Sequence, residues 1–191
     1  MEVLQVKVGA RQLAALGFAL GALALSACNE DPNKKPPKFR LEGSLGQVMD
    51  TGYDEARVLL APTDVSIVFV RIHPLGSTLG DGGMVDPMNQ GQSEDYPLKV
   101  AYRLLGDPVG GRVDLAALDM SGAQRGSLSR NVQNDPRNTL PPILRGTLYF
   151  DRPLDPRAVV GGDFNVTFEN GIEAASGRTV FSTSFSARVQ P

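Results

Sequence analysis

Along the second half of the chain, apolar and polar positions alternate with a period of two. Phe164, Val166 and Phe168 alternate with Asn165, Thr167 and Glu169. Phe181, Thr183, Phe185, Ala187 and Val189 alternate with Ser182, Ser184, Ser186, Arg188 and Gln190. Successive strand side chains point to opposite faces, so both runs predict strands with one apolar face and one wet face. The Asn170-Gly171 turn and the break at Gly177 lie between them and predict a hairpin. Val65 to Ile72 (VSIVFVRI) breaks the alternation, being nearly all apolar and β-branched, and predicts a central strand buried on both faces. Further strands are predicted over Leu41 to Val48, Ala56 to Ala61, Leu98 to Leu104, Arg112 to Leu118, Gln124 to Ser129 and Gly146 to Phe150. A turn at Asp50-Thr51-Gly52 separates the first two. Another at Asp119 to Gly122 would let Arg112–Leu118 pair with Gln124–Ser129, with a short helix over Leu115 to Met120 as the alternative.

Many short strands with little helical periodicity predict an all-β domain, an antiparallel β-sandwich of Ig-like or similar kind, over residues 39–191. The 21 Gly and 14 Pro, spread along the chain, suit strands joined by turns. Phe150-Asp151-Arg152-Pro153-Leu154-Asp155-Pro156, followed by Gly161-Gly162-Asp163-Phe164-Asn165-Val166, resembles a strand–corner–strand stretch of bacterial Ig-like modules. Two connections exceed ordinary turn length, His73 to Pro97 and Asn131 to Pro142. Long loops on a β scaffold are where binding surfaces are sought first.

The first residues have another character. Lys7 and Arg11 precede the uncharged apolar run Leu13 to Leu25, which has signal-peptide length and is too short to span a bilayer. Leu25-Ser26-Ala27-Cys28 resembles the lipobox of bacterial lipoproteins. That resemblance implies a diacylglycerol on the Cys28 sulfur, cleavage before Cys28, and acylation of the new amine. Several acyl chains hold a protein at a membrane where one would bind only reversibly. The expected organisation is a signal peptide over 1–27, the lipidated Cys and a Pro-rich tether over 28–38, and the β domain. Asn29 after the Cys, by analogy with enterobacterial sorting, points to the outer membrane in preference to the inner one. Cys28 is the single cysteine, so no internal disulfide is available.

Composition narrows the function classes. The net charge of −2 offers no basic excess to neutralise phosphates, so nucleic acid is not an expected partner. Asp50-Thr51-Gly52 resembles the active-site triplet of aspartic proteases, in which two such Asp residues share a proton. Here Tyr53 stands where a small residue is usual, and Asp54 and Glu55 give the segment the look of a solvated turn. His73 is the single histidine, and without a Gly-x-Ser-x-Gly elbow it reads as a strand-end residue. With one His and one acylated Cys, no metal site and no cofactor are expected. The long first connection collects Asp81, Asp86, Asn89, Glu94, Asp95 and Tyr96, oxygen ligands and an aromatic ring that form the candidate ligand or partner loop. The expectation is therefore a non-catalytic envelope lipoprotein, a structural or protein-interaction module with an envelope protein as partner. The alternatives are a surface module binding glycan or calcium through loop 73–97, and a hydrolase built on Asp50.

Overall fold

A computed structural model describes residues 36–73, 93–105, 110–133, 135, 138 and 140–190. These residues are all-β apart from one turn of 3-10 helix at Ser44–Gln47. The strands are β1 (Phe39–Arg40), β2 (Gly52–Tyr53), β3 (Glu55–Leu60), β4 (Asp64–His73), β5 (Ser93–Arg103), β6 (Gly111–Asp114), β7 (Gly126–Asn131), β8 (Ile143–Phe150), β9 (Val159–Phe168) and β10 (Thr179–Gln190). β1 and β2 form a small ribbon, and the other strands make one eight-stranded sheet in the order β6-β8-β9-β10-β3-β4-β5-β7. All neighbours are antiparallel except β3 and β10, which run parallel with Ala187 opposite Ala56. The all-β class agrees with the sequence pattern. The arrangement differs from the predicted antiparallel sandwich, because a single mixed sheet curls towards a barrel where two separate sheets were expected.

Ring contacts demonstrate the curl. Phe69 on β4 and Phe164 on β9 are three strand spacings apart in the sheet order, about 14 Å if the sheet were flat. Their ring centroids are 5.4 Å apart. Phe185 on β10 reaches both Phe69 and Phe150 on β8. The two ends of the sheet order also meet. Leu115, just past β6, donates its N–H to Gly146 O on β8 and accepts from Gly126 N–H on β7. A Cβ on Gly126 would run into the Leu115 backbone, so this closure needs glycine there. The Asn131–Pro142 connection lies partly along this seam: Arg130 N–H donates to Asn138 O, and Leu140 packs against the core.

One cross-strand row shows how the interior is filled. Val189, Val58, Ile67, Val100 and Leu128 face one another across β10, β3, β4, β5 and β7, and all are buried. Leu41, Leu45 and Met49, from the strip before β2, join the same core. The strand predicted over Leu41–Val48 is not formed. Gly43 has φ 107°, and the chain turns there into the Ser44–Gln47 helix, which is tied to β10 through Ser44 and Thr179.

Three further expectations change in register. β10 carries a bulge between Ser182 and Phe185, so Val180 and Ser182 point inward before it and Phe185, Ala187 and Val189 after it. The simple alternation had placed Phe181 and Thr183 on the buried face, but the extra residue reverses the phase. β5 begins at Ser93, several residues before the predicted Leu98, and takes Pro97 within it. Both ladders of β5 shift register around Pro97, the bulge position at which a strand tolerates a residue without an N–H. Finally, Leu118 and Gln124 form only an isolated bridge, while β6 ladders with β8 and β7 with β5, so the predicted hairpin there is reduced to its tip. That tip is a set of turns, not a helix.

Candidate functional site

β4 is apolar on both faces, and only one face belongs to the core. Val65, Ile67 and Phe69 point inward, whereas Val68 and Val70 point to the outer side of the sheet. Arg188, Arg57, Val68, Lys99 and Ser129 are successive cross-strand partners over β10, β3, β4, β5 and β7. Opposed residues share a face, so this polar row brackets a valine. The adjacent rows bring Leu59 beside Gln190, and Val70 opposite Glu55. The result is a groove of about 350 Å³ lined by Arg57, Lys99 and Tyr96 and by part-exposed Leu59, with Val68 and Val70 buried beneath it. Its volume is at the small end of ligand pockets, ~300–1,000 Å³.

The walls are fixed by charge pairs. Arg57 donates to both Glu94 oxygens, at 2.9 and 2.7 Å, and is also paired with Glu55. The hydrogen bonds to Glu94 raise the guanidinium above its ordinary pKa despite burial, and the same bonds hold the Glu94 carboxyl below its ordinary value. Tyr96 reaches Glu94 through its hydroxyl at 3.5 Å. Arg130 lines the groove with its side chain only 2% exposed, 3.1 Å from Asp135. Lys99 is different: among the described residues its ammonium has no ion-pair or hydrogen-bond partner.

The residues singled out from the sequence separate. Glu94 and Tyr96 belong to the groove, though on a strand and not in a loop. Asp95, between them, faces the other way, where it meets His73 Nε2 at 2.8 Å and accepts Gln133 N–H at 3.0 Å. Asp81, Asp86, Asn89 and Cys28 lie outside the described residues. No family model, curated protein or solved structure matches this chain.

Asp50 has the surroundings of a turn-locking carboxylate. It accepts Gly52 N–H at 3.0 Å, is bonded by Arg71, and has Arg40 at 3.7 Å. Burial alone would raise its pKa, but the Gly52 N–H and the two guanidiniums outweigh it and keep the carboxyl below the ordinary range. A general acid–base pair of carboxylates needs one of them to hold a proton near neutrality, and this environment drives Asp50 the opposite way. Tyr53 is buried in the core, with its ring packed edge-on to Phe69 at 4.9 Å, and presents no platform for a sugar. Among the described residues, no group of three or more His, Cys, Asp or Glu could hold a metal ion. Sequence reasoning missed Arg57, Lys99 and Val68 as a unit. The signal was the excess of apolar residues in VSIVFVRI, since a strand lining one core needs only its alternate positions apolar.

Proposed function

We propose that this chain is a membrane-anchored lipoprotein of the bacterial envelope, held by lipid on Cys28, with its β domain acting as a non-catalytic binding module. The outer membrane is the proposed location, with the domain making its contacts through the outer groove of β3, β4, β5 and β7. The observation that carries this reading is the groove of about 350 Å³ on the outer side of the sheet, framed by Arg57, Lys99 and Arg130, with part-exposed Leu59 beside the buried Val68 and Val70. A sheet face with no binding task is covered by polar side chains, as the Arg145, Thr147, Asn165 and Thr167 positions of β8 and β9 are. The lipobox resemblance supplies the anchor, and the polar 28–38 segment would act as a tether spanning up to ~30 Å from the lipid.

Two measurements in cells test the reading. Cys28→Ser should release the protein from salt-washed membranes, and continued pelleting of the mature-sized variant would refute the anchor. A photo-crosslinking amino acid at position 59, lining the groove, should capture a partner or ligand, while the same probe at exposed Val159, on β9, should not. Equal capture at both positions, or capture at neither, would refute the groove as the contact face.

A further inference from the structure

The loop that joins β9 to β10 carries the one Asn-Gly pair in the chain, Asn170-Gly171. The hydrogen bonds of the loop stop short of that pair. At the base, Glu169 N–H donates to Pro142 O at 2.9 Å and Gly177 N–H donates to Glu169 O at 2.8 Å. The far side is held by Ser176 N–H on Glu173 O and Arg178 N–H on Ala175 O, and Ala175 is buried. Asn170, Gly171 and Ile172 are exposed, Ile172 fully. Among the described residues none of their backbone N–H groups donates, and the Asn170 carboxamide has no hydrogen bond. Asn170 Oδ1 lies over Gly177, where an added Cβ would come within 2.7 Å of it, so the glycine leaves the carboxamide room to turn. Asn165 is the contrast. It stands within β9, donates from Nδ2 to Thr147 Oγ1 at 2.8 Å, and is followed by the branched Val166.

We infer that Asn170 is a self-modification site, at which the chain converts its own asparagine to isoaspartate and aspartate. The Gly171 backbone nitrogen, its proton taken by hydroxide, attacks Asn170 Cγ. A C–N bond forms, the Cγ–Nδ2 bond breaks, and ammonia leaves with a proton returned from water, so nothing is oxidised or reduced. Water then opens the succinimide at either carbonyl. One opening gives aspartate, and the other gives isoaspartate, with the backbone rerouted through Cβ and Cγ. The Gly171 nitrogen has to swing to Cγ, which a strand-bound amide cannot do. Glycine brings no Cβ to obstruct that approach. Either product places a new carboxylate between Glu169 and Glu173. Isoaspartate lengthens the loop backbone by one methylene at a point that carries none of its ties, so β9 and β10 stay paired.

The test uses the full chain carrying Cys28→Ser, purified at mildly acidic pH and aged at mildly alkaline pH and physiological temperature. Trypsin then releases Ala158–Arg178, a peptide that holds both asparagines. Mass spectrometry should show a gain of one mass unit at Asn170 and none at Asn165. Electron-transfer fragments, which differ between the isomers, should show isoaspartate in excess of aspartate. The rate should rise in proportion to hydroxide, and the aged chain should keep the circular dichroism spectrum of the fresh one. In Gly171→Ala the gain should be lost over the same period. The added Cβ meets only the Ser176 side chain, with Oγ at 3.0 Å and free to rotate, and Gly171 has no positive φ. That variant should therefore melt with the wild type. An Asn170 left intact in the folded chain overturns the inference, whether or not the urea-unfolded chain reacts. Equal gain at Asn165 and Asn170, or a Gly171→Ala chain that ages at the wild-type rate, overturns it as well.

Discussion

Arg57 gathers two carboxylates from different parts of the chain, Glu55 from its own strand and Glu94 from β5. Glu94 was visible in the sequence as a candidate polar ligand, but its partner was not. The pair is 37 residues apart and meets only because β4 lies between β3 and β5. Asp95 and Tyr96 were grouped with it for the same reason, yet a strand sends neighbours to opposite faces, and so the cluster divided. Glu94→Gln should cost about 1 kcal/mol or less in unfolding free energy, since both side chains keep some water contact. The pH dependence has a definite sign. The folded carboxyl of Glu94 lies below its ordinary value of 4.5, so its contribution is full above that pH and is lost as pH falls through the lower folded value. The difference in melting temperature between wild type and Glu94→Gln should therefore be constant near neutrality and shrink below pH 4.5. A difference that grows on acidification would contradict the pairing.

Strands were legible as elements, whereas their irregularities were not. Period-two alternation identified β9 and β10, and the doubly apolar run identified β4, because burial imprints directly on side-chain pattern. A bulge adds one residue without any compositional mark, and so the phase of β10 before Phe185 was read in reverse. Pro97 looked like the end of a loop because proline is excluded from regular ladders. It is accommodated by register shifts on both sides of β5. Strand-to-strand pairing was hardest to read: Gly126 gave no hint that it touches Leu115, since the demand for a missing Cβ comes from the segment just past β6. Gly126→Ala should lower unfolding free energy by about 1–3 kcal/mol, because the obstructing atoms are backbone and cannot rotate away. Urea denaturation followed by circular dichroism measures it. Gly46→Ala, at an ordinary φ and with only Thr51 Oγ1 at 3.5 Å from the added Cβ, controls for loss of a glycine without crowding.

At the scale of the whole molecule, the parallel contact between β3 and β10 has a consequence for how the protein is made. β10 is the last of the described strands, yet it stands in the middle of the sheet, between β9 and β3. During synthesis β3 emerges early and keeps one edge unpaired until β10 has followed. Contacts of such long sequence separation make folding slow, because the entropy of closing the loop is spent before the contact forms. Removing Thr179–Gln190 should abolish cooperative unfolding altogether, where loss of a peripheral strand would merely lower the midpoint. A sigmoidal thermal transition in the truncated chain would show that the early strands assemble without it. Until β10 is in place the early strands should present an unpaired edge, so that nascent or clipped chains lacking it are degraded or aggregate and never accumulate as a half-built domain.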